Sequence, residues 1–138
     1  MRVLVSACPM GKNCKYNGGN NCNARVIDFL KDKEVVEVCP EVLGGLSTPR
    51  PPAELVDGVA MTIDGNSVDA EFRRGVEIAM QKAALADIDM AILQSRSPTC
   101  GVKQIYDGSF SGRLIEGRGL FAQALLDAGY NTVDAENI

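Results

Sequence analysis

The stretch that decides the fold reads Ile88-Asp-Met-Ala-Ile-Leu-Gln-Ser-Arg-Ser-Pro-Thr-Cys-Gly101. Its first six residues form a largely apolar run, which is typical of a strand covered on both faces of a parallel sheet. The run then enters a polar loop that carries Cys100. Because ligands of open α/β sheets bind beyond the carboxyl ends of the parallel strands, this thiol stands where a binding site is expected.

Two more cysteines follow apolar runs in the same way. Cys8 comes directly after Val3-Leu-Val-Ser-Ala7, and Cys39 comes directly after Val35-Val-Glu-Val38. We therefore hypothesise that three thiolates converge on one site. Thiolates are soft ligands that select zinc, Cu(I) or iron–sulfur clusters, and a four-iron cluster held by three of them keeps one iron without a protein ligand. Three separate buried thiols are the alternative, since free cysteine often packs as a small apolar side chain.

The segments between and after these strands have the periodicity of helices. We predict helices over 24–32, 68–86 (capped by Asn66) and 120–128, strands over 1–7, 34–38, 88–93 and 130–133, and a hairpin over 55–63. The segment 39–52 is too rich in proline for a regular element, and 94–118 reads as a long loop. This alternation predicts one α/β domain over residues 1–138, a Rossmann-like three-layer sandwich with a mostly parallel central sheet.

The composition excludes several classes of function. The chain contains no histidine, which removes Ser/His/Asp and Cys/His nucleophilic machinery and the common histidine zinc sites. The net charge of −4 argues against binding to DNA, which needs a basic surface. No apolar run is long enough for a membrane span or a signal peptide, so we expect a cytoplasmic protein without membrane attachment. In that compartment five cysteines favour metal or redox chemistry over disulfides.

Polar residues near the three thiols are candidates for catalysis and binding. Glu41 follows Cys39 by two residues and is suited to general acid–base work, and Ser97 either caps a turn or hydrogen-bonds a substrate. Candidates for contact with a polar or anionic substrate group are Arg50, Ser109, Ser111, Gly112 and Arg113. Cys14 and Cys22 lie in an asparagine-rich loop, where they form a zinc trio with Cys8 or are incidental loop thiols; we favour the second interpretation.

Several motifs in the same order together resemble the thiouracil desulfidase family over nearly the whole chain. They are Val5-Ser-Ala-Cys8, Tyr16-Asn-Gly-Gly19, Val38-Cys-Pro-Glu-Val-Leu-Gly-Gly45, Thr48-Pro-Arg-Pro-Pro-Ala-Glu54, Arg96-Ser-Pro-Thr-Cys-Gly101 and Ile105-Tyr-Asp-Gly-Ser-Phe-Ser-Gly112. The chain departs from the family's pattern at Pro9-Met10, where two leucines are more usual, and at Lys15, where arginine is expected.

The resemblance implies a [4Fe–4S] cluster held by Cys8, Cys39 and Cys100. It further implies that the open iron takes the sulfur of a thiolated pyrimidine or its nucleotide, such as thiouracil or 4-thiouridine monophosphate, while water replaces that sulfur without a redox step. Glu41 would then transfer protons, and Ser97 would assist in the pocket. Two alternatives from other classes are a non-catalytic zinc or iron–sulfur binding module and a cysteine-based sulfur-carrier or redox protein. The sequence gives no prediction of the oligomeric state.

Overall fold

The computed structural model describes all 138 residues and alternates short strands with helices. In chain order the elements are β1 (Arg2–Ser6), α1 (Ala24–Leu30), β2 (Glu34–Val38), α2 (Pro40–Leu43), β3 (Ala53–Val56), β4 (Val59–Thr62), α3 (Asp69–Ala86), β5 (Met90–Leu93), β6 (Gln104–Tyr106), β7 (Leu114–Glu116), α4 (Leu120–Asp127) and β8 (Thr132–Asp134). Single 3₁₀ turns cover Cys8–Met10 and Ala135–Asn137. None of the helices is long and apolar enough to cross a lipid bilayer.

The core of the molecule is a four-stranded sheet in the order β2-β1-β5-β8, and every pair in it is parallel. Side chains alternate across the sheet, so Val3 and Val5 pack beneath α1 while Leu4 packs beneath α3 and α4. Burial on both faces is the reason why β1 and β5 read as continuous apolar runs. The predicted α/β fold with its parallel sheet is confirmed.

Helix α3 uses the apolar stripe that its sequence predicts. Phe72, Ala79 and Ala83 are fully buried, and Val76 and Met80 pack against the core cluster that contains Ala79 and Ala83. The prediction that Asn66 caps this helix is wrong. The backbone N–H of Asn66 instead donates to Thr62 Oγ1 in the turn after β4, and the helix begins after Val68 without a side-chain cap.

Two segments predicted to lack regular structure contain short elements. Helix α2 lies inside 39–52, because a proline at the first helical position has a suitable φ angle and needs no N–H partner there. Strands β6 and β7 pair as an antiparallel hairpin inside 94–118, too short to show a clear alternation in the sequence. The predicted hairpin over 55–63 is confirmed as β3 and β4, which turn at Asp57-Gly58.

Two glycines set the position of α2 against α3. A Cβ atom on Gly75 would lie 1.7 Å from the carbonyl oxygen of Pro40, and one on Gly44 would lie 1.9 Å from the carbonyl oxygen of Glu71. The two helices therefore touch through their backbones, which no larger residue permits. This contact fixes Cys39 and Glu41, which stand at the N-terminus of α2.

Candidate functional site

A cavity of about 500 Å³ opens at the carboxyl ends of β1, β2 and β5. Its lining contains the three thiols that follow these strands, together with the carboxylate and the hydroxyl predicted beside them: Cys8, Cys39, Cys100, Glu41 and Ser97. The parallel direction of the strands explains this convergence, because all three chain exits leave the same edge of the sheet. Residues from three distant segments of the sequence thus share one cavity.

Cys100 lies at the floor of the cavity and is 5% exposed. Burial raises the pKa of its thiol to about 12, although hydrogen bonds with Ser6 and Ser97 offset part of that effect. The Ser97 Oγ accepts the backbone N–H groups of Thr99 and Cys100 at 3.1 and 3.0 Å, which shapes the turn around the thiol. Ser97 therefore caps a turn, which is one of its two predicted roles, and its hydroxyl also hydrogen-bonds with the thiol of Cys100.

Cys14, which the sequence analysis interprets as an incidental loop thiol, also lines the cavity. Its Sγ lies 3.1 Å from Cys8 Sγ, and the thiol of Cys39 donates to its carbonyl oxygen at 3.9 Å. The local signal for this placement is Gly11, whose φ of 88° turns the chain back after the 3₁₀ turn that starts at Cys8. Cys22, in contrast, is exposed and lies outside this cavity.

Crowding of the sulfurs disfavours their ionised forms. The hydrogen bond with the side chain of Cys14 and burial together raise the pKa of Cys39 far above its usual value. For Cys14, the hydrogen bond with the side chain of Cys39 lowers the pKa, but the hydrogen bond with Cys8 and burial outweigh it and raise the pKa to about 11. A metal group that binds these sulfurs has to displace their protons, because the thiolate is the ligand.

Arg50 and Thr99 hold the carboxylate of Glu41 from two sides. Arg50 Nε donates to Glu41 Oε1 at 3.1 Å, and Thr99 Oγ1 donates to Glu41 Oε2 at 2.9 Å. The side chains of Glu41 and Arg50 are only 16% and 7% exposed. Thr99 is fully buried and was missed by the sequence reasoning, although it stands between the two residues that were singled out, Ser97 and Cys100.

The guanidinium of Arg50 is occupied by the protein itself. Besides Glu41 it reaches the carbonyl oxygen of Cys14 at 2.9 Å, the carbonyl oxygen of Ser47 at 3.2 Å and the hydroxyl of Thr48 at 3.0 Å. Four of its five N–H donors thus bind neighbouring segments. Arg50, predicted to contact the substrate, lines the cavity, and its hydrogen bonds join the loops that follow β1 and β2.

The remaining predicted substrate contacts lie in the loop between β6 and β7. Gly112 lines the cavity, whereas Ser109, Ser111 and Arg113 do not. The hydroxyls of Ser109 and Ser111 hydrogen-bond to each other at the exposed tip of the loop. Glu54, which the sequence reasoning also missed, lines the cavity and anchors this loop by accepting the backbone N–H groups of Gly108 and Phe110 at 2.9 and 3.2 Å.

The structure offers no support for the zinc trio of Cys8, Cys14 and Cys22. No three Cys, Asp or Glu side chains are arranged so that they could hold a metal ion. Cys8, Cys39 and Cys100 line the same cavity but do not meet around a single ion.

Comparisons with known proteins match nearly the whole chain. A family model described as 2-thiouracil desulfurase matches residues 3–137. An uncharacterized protein of Bacillus subtilis (strain 168), YbbK, is 34% identical over 146 residues, which cover 99% of this chain and 97% of that protein. A solved structure of a [4Fe-4S]-dependent thiouracil desulfidase, TudS, is similar with a TM-score of 0.94 and 35% identity, and the match covers 99% of this chain and 92% of that one.

Proposed function

The chain belongs to the 2-thiouracil desulfurase family, and on that premise we propose that it removes the sulfur of thiolated pyrimidines by hydrolysis, with a [4Fe–4S] cluster bound in the cavity. Membership confirms the resemblance drawn from the sequence motifs and identifies the chain as an enzyme. The observation that carries the proposal is the presence of Cys8, Cys39, Cys100 and Glu41 on the wall of one cavity.

The donor set fits an iron–sulfur cluster. Three thiols from three strand ends surround one cavity, and the chain has no histidine that would point to a different metal. Cys8, Cys39 and Cys100 would hold the cluster, whose remaining iron would act as a Lewis acid toward the soft sulfur of a thiocarbonyl. Cys14 is the nearest further thiol, and we assign it no ligand role.

Glu41 is the proposed proton carrier of the reaction. Thiocarbonyl and water become carbonyl and hydrogen sulfide, so no electron is gained or lost and no reductant is needed. A carboxylate beside the cavity accepts the proton of the attacking water and returns it to the departing sulfur. Glu41 is suited to this role because both of its oxygens are held, by Arg50 and by Thr99, in one orientation.

Arg50 is therefore proposed as a positioning residue, because it acts on the reaction through Glu41 and through the loop that carries Cys14. The hydroxyl of Ser97, which hydrogen-bonds with the thiol of Cys100, is a candidate donor to a polar atom of the pyrimidine ring. A nucleotide substrate would extend out of the cavity past Gly112. We propose that its phosphate meets segment 109–113 there, where the exposed residues Ser111 and Arg113 supply donors, whereas Ser109 already donates its N–H and hydroxyl to Asp107.

The test is a single-turnover assay on anaerobically reconstituted protein. We expect about four irons and four sulfides per chain. With 2-thiouracil or 4-thiouridine monophosphate, and without reductant, the protein should release one sulfide for every uracil or uridine nucleotide formed. In ¹⁸O-labelled water the new carbonyl should carry the label. Cluster-loaded protein that releases no sulfide, or that keeps the sulfur as a cysteine persulfide, would refute the proposal and favour a binding module or a sulfur carrier.

A further inference from the structure

One pair of thiols at the site has a geometry that iron binding does not explain. Cys8 Sγ and Cys14 Sγ lie 3.1 Å apart, closer than two sulfur atoms in simple van der Waals contact. Both thiols line the cavity and are partly exposed, so a small molecule that enters the cavity reaches them. The proposed function uses Cys8 and leaves Cys14 without a role.

The position of Cys14 is set by contacts outside the pair. Arg50 holds its carbonyl oxygen at 2.9 Å, and the thiol of Cys39 approaches the same oxygen at 3.9 Å. The backbone of Cys14 is thereby fixed toward Arg50, while its side chain points to Cys8. Around this anchor, Gly11–Asn23 contains no regular helix or strand, so the Cys14 side chain can move toward Cys8 without breaking an element. A disulfide needs an S–S distance of about 2 Å, so the two sulfurs have to approach by about 1 Å from their present separation.

We propose that Cys8 and Cys14 form a reversible disulfide when the protein without its cluster meets a peroxide. The Cys8 thiol takes an oxygen atom from hydrogen peroxide and becomes a sulfenic acid, with release of one water. The sulfur of Cys14 displaces the hydroxyl group, the S–S bond forms and a second water leaves. The two sulfurs lose two electrons in total and the two peroxide oxygens gain them.

The disulfide has a consequence for the site, and this consequence rests on the proposed function. A Cys8 sulfur in a disulfide is not a thiolate and does not bind iron, so cluster assembly stops until a thiol reductant restores it. The same bond protects Cys8 from sulfinic and sulfonic acids, which are irreversible under ordinary conditions. Cys14 is therefore a resolving cysteine for a proposed cluster ligand.

The experiment uses the full-length chain, with the cluster lost in air and the thiols then reduced. The protein is treated with hydrogen peroxide, free thiols are blocked with N-ethylmaleimide, and tryptic peptides are mapped without reduction. Cleavage after Lys12 and Lys15 separates the two cysteines, so the bond joins peptide 3–12 to peptide 13–15. We expect this linked pair, with the loss of two hydrogen atoms, in the wild type and in the matched control Cys22→Ser, whose exposed thiol lies in the same loop.

A second measurement tests whether the disulfide protects Cys8, by following iron uptake after oxidation. Iron incorporation into oxidised wild type should fall at least about tenfold and recover with dithiothreitol. In Cys14→Ser it should fall without recovery, with sulfinate on peptide 3–12. Absence of the 3–12 to 13–15 link, or a link to Cys22 or Cys39 instead, would overturn the proposal, as would equal recovery in Cys14→Ser. If the reduced wild type itself takes up no iron, the proposed function fails while the peptide map still decides on the disulfide.

Discussion

Replacing Gly75 by alanine tests whether the contact between α2 and α3 positions the reacting groups. The new Cβ would lie 1.7 Å from the carbonyl oxygen of Pro40, a backbone atom that cannot rotate away. Since non-bonded contacts of carbon lie near about 3.5 Å, α2 must retreat by more than about 1 Å. Cys39 and Glu41 move with it, because they stand at its first turn.

The magnitude follows from two opposing effects. Alanine in a helix is favoured over glycine by about 1 kcal/mol, whereas overpacking of a close contact costs roughly 1–3 kcal/mol. We expect Gly75→Ala to lower the free energy of unfolding by about 1 kcal/mol, because the overlap with Pro40 is large. Displacement of Glu41 by about 1 Å should lower kcat about a hundredfold, a larger loss than the stability change explains.

The assay combines urea unfolding, iron content and sulfide release on reconstituted protein. Gln81→Ala is the matched control, because Gln81 is exposed on the same helix and the substitution leaves the α2 contact intact. The control should keep wild-type activity and stability. Wild-type kcat in a folded, iron-loaded Gly75→Ala protein would refute the reasoning, since α2 would then not determine the position of Glu41.

The other predictions concern single side chains. Glu41→Gln should keep its iron and release sulfide at least about a hundredfold more slowly, because an amide does not carry the proton; unchanged release in the sulfide assay would remove Glu41 from the mechanism. Alanine at any of the three proposed cluster ligands, Cys8, Cys39 and Cys100, should abolish iron incorporation, whereas Cys14→Ala and Cys22→Ala should retain it. Iron analysis that finds iron in the ligand variants and none in Cys14→Ala or Cys22→Ala would contradict the ligand assignment. The hydrogen bond from Arg73 lowers the pKa of Asp69. This interaction therefore stabilises the fold above the unfolded-state pKa near 4 and is lost as the pH falls through the folded-state value. Asp69→Asn should then cost about 0.5–1 kcal/mol at pH 7 and less as the pH falls below about 4 in urea unfolding, and a cost that does not change with pH would contradict it.

The sequence predicts much of the site because the carboxyl ends of parallel strands all lie at one edge of the sheet. Apolar runs identify β1, β2 and β5, and the residues after them share one edge of the sheet wherever the loops go next. Cys8, Cys39 and Cys100 reach one cavity for that reason. Helix α2 escaped prediction, since its proline suggests a loop and its four residues are too few to show a period.

By itself, the sequence determined the parallel sheet, the stripe of α3 and the three thiols at the strand ends, because each follows from a periodicity of neighbouring residues. Only the tertiary structure decided how the loops meet. The bond between Arg50 and Cys14 spans 36 residues, and the bond between Thr99 and Glu41 spans 58. Such contacts depend on the paths of irregular segments and on the glycine contact between α2 and α3, and no local pattern encodes them. The roles of Cys14, Arg50 and Thr99 therefore emerge only from the folded chain.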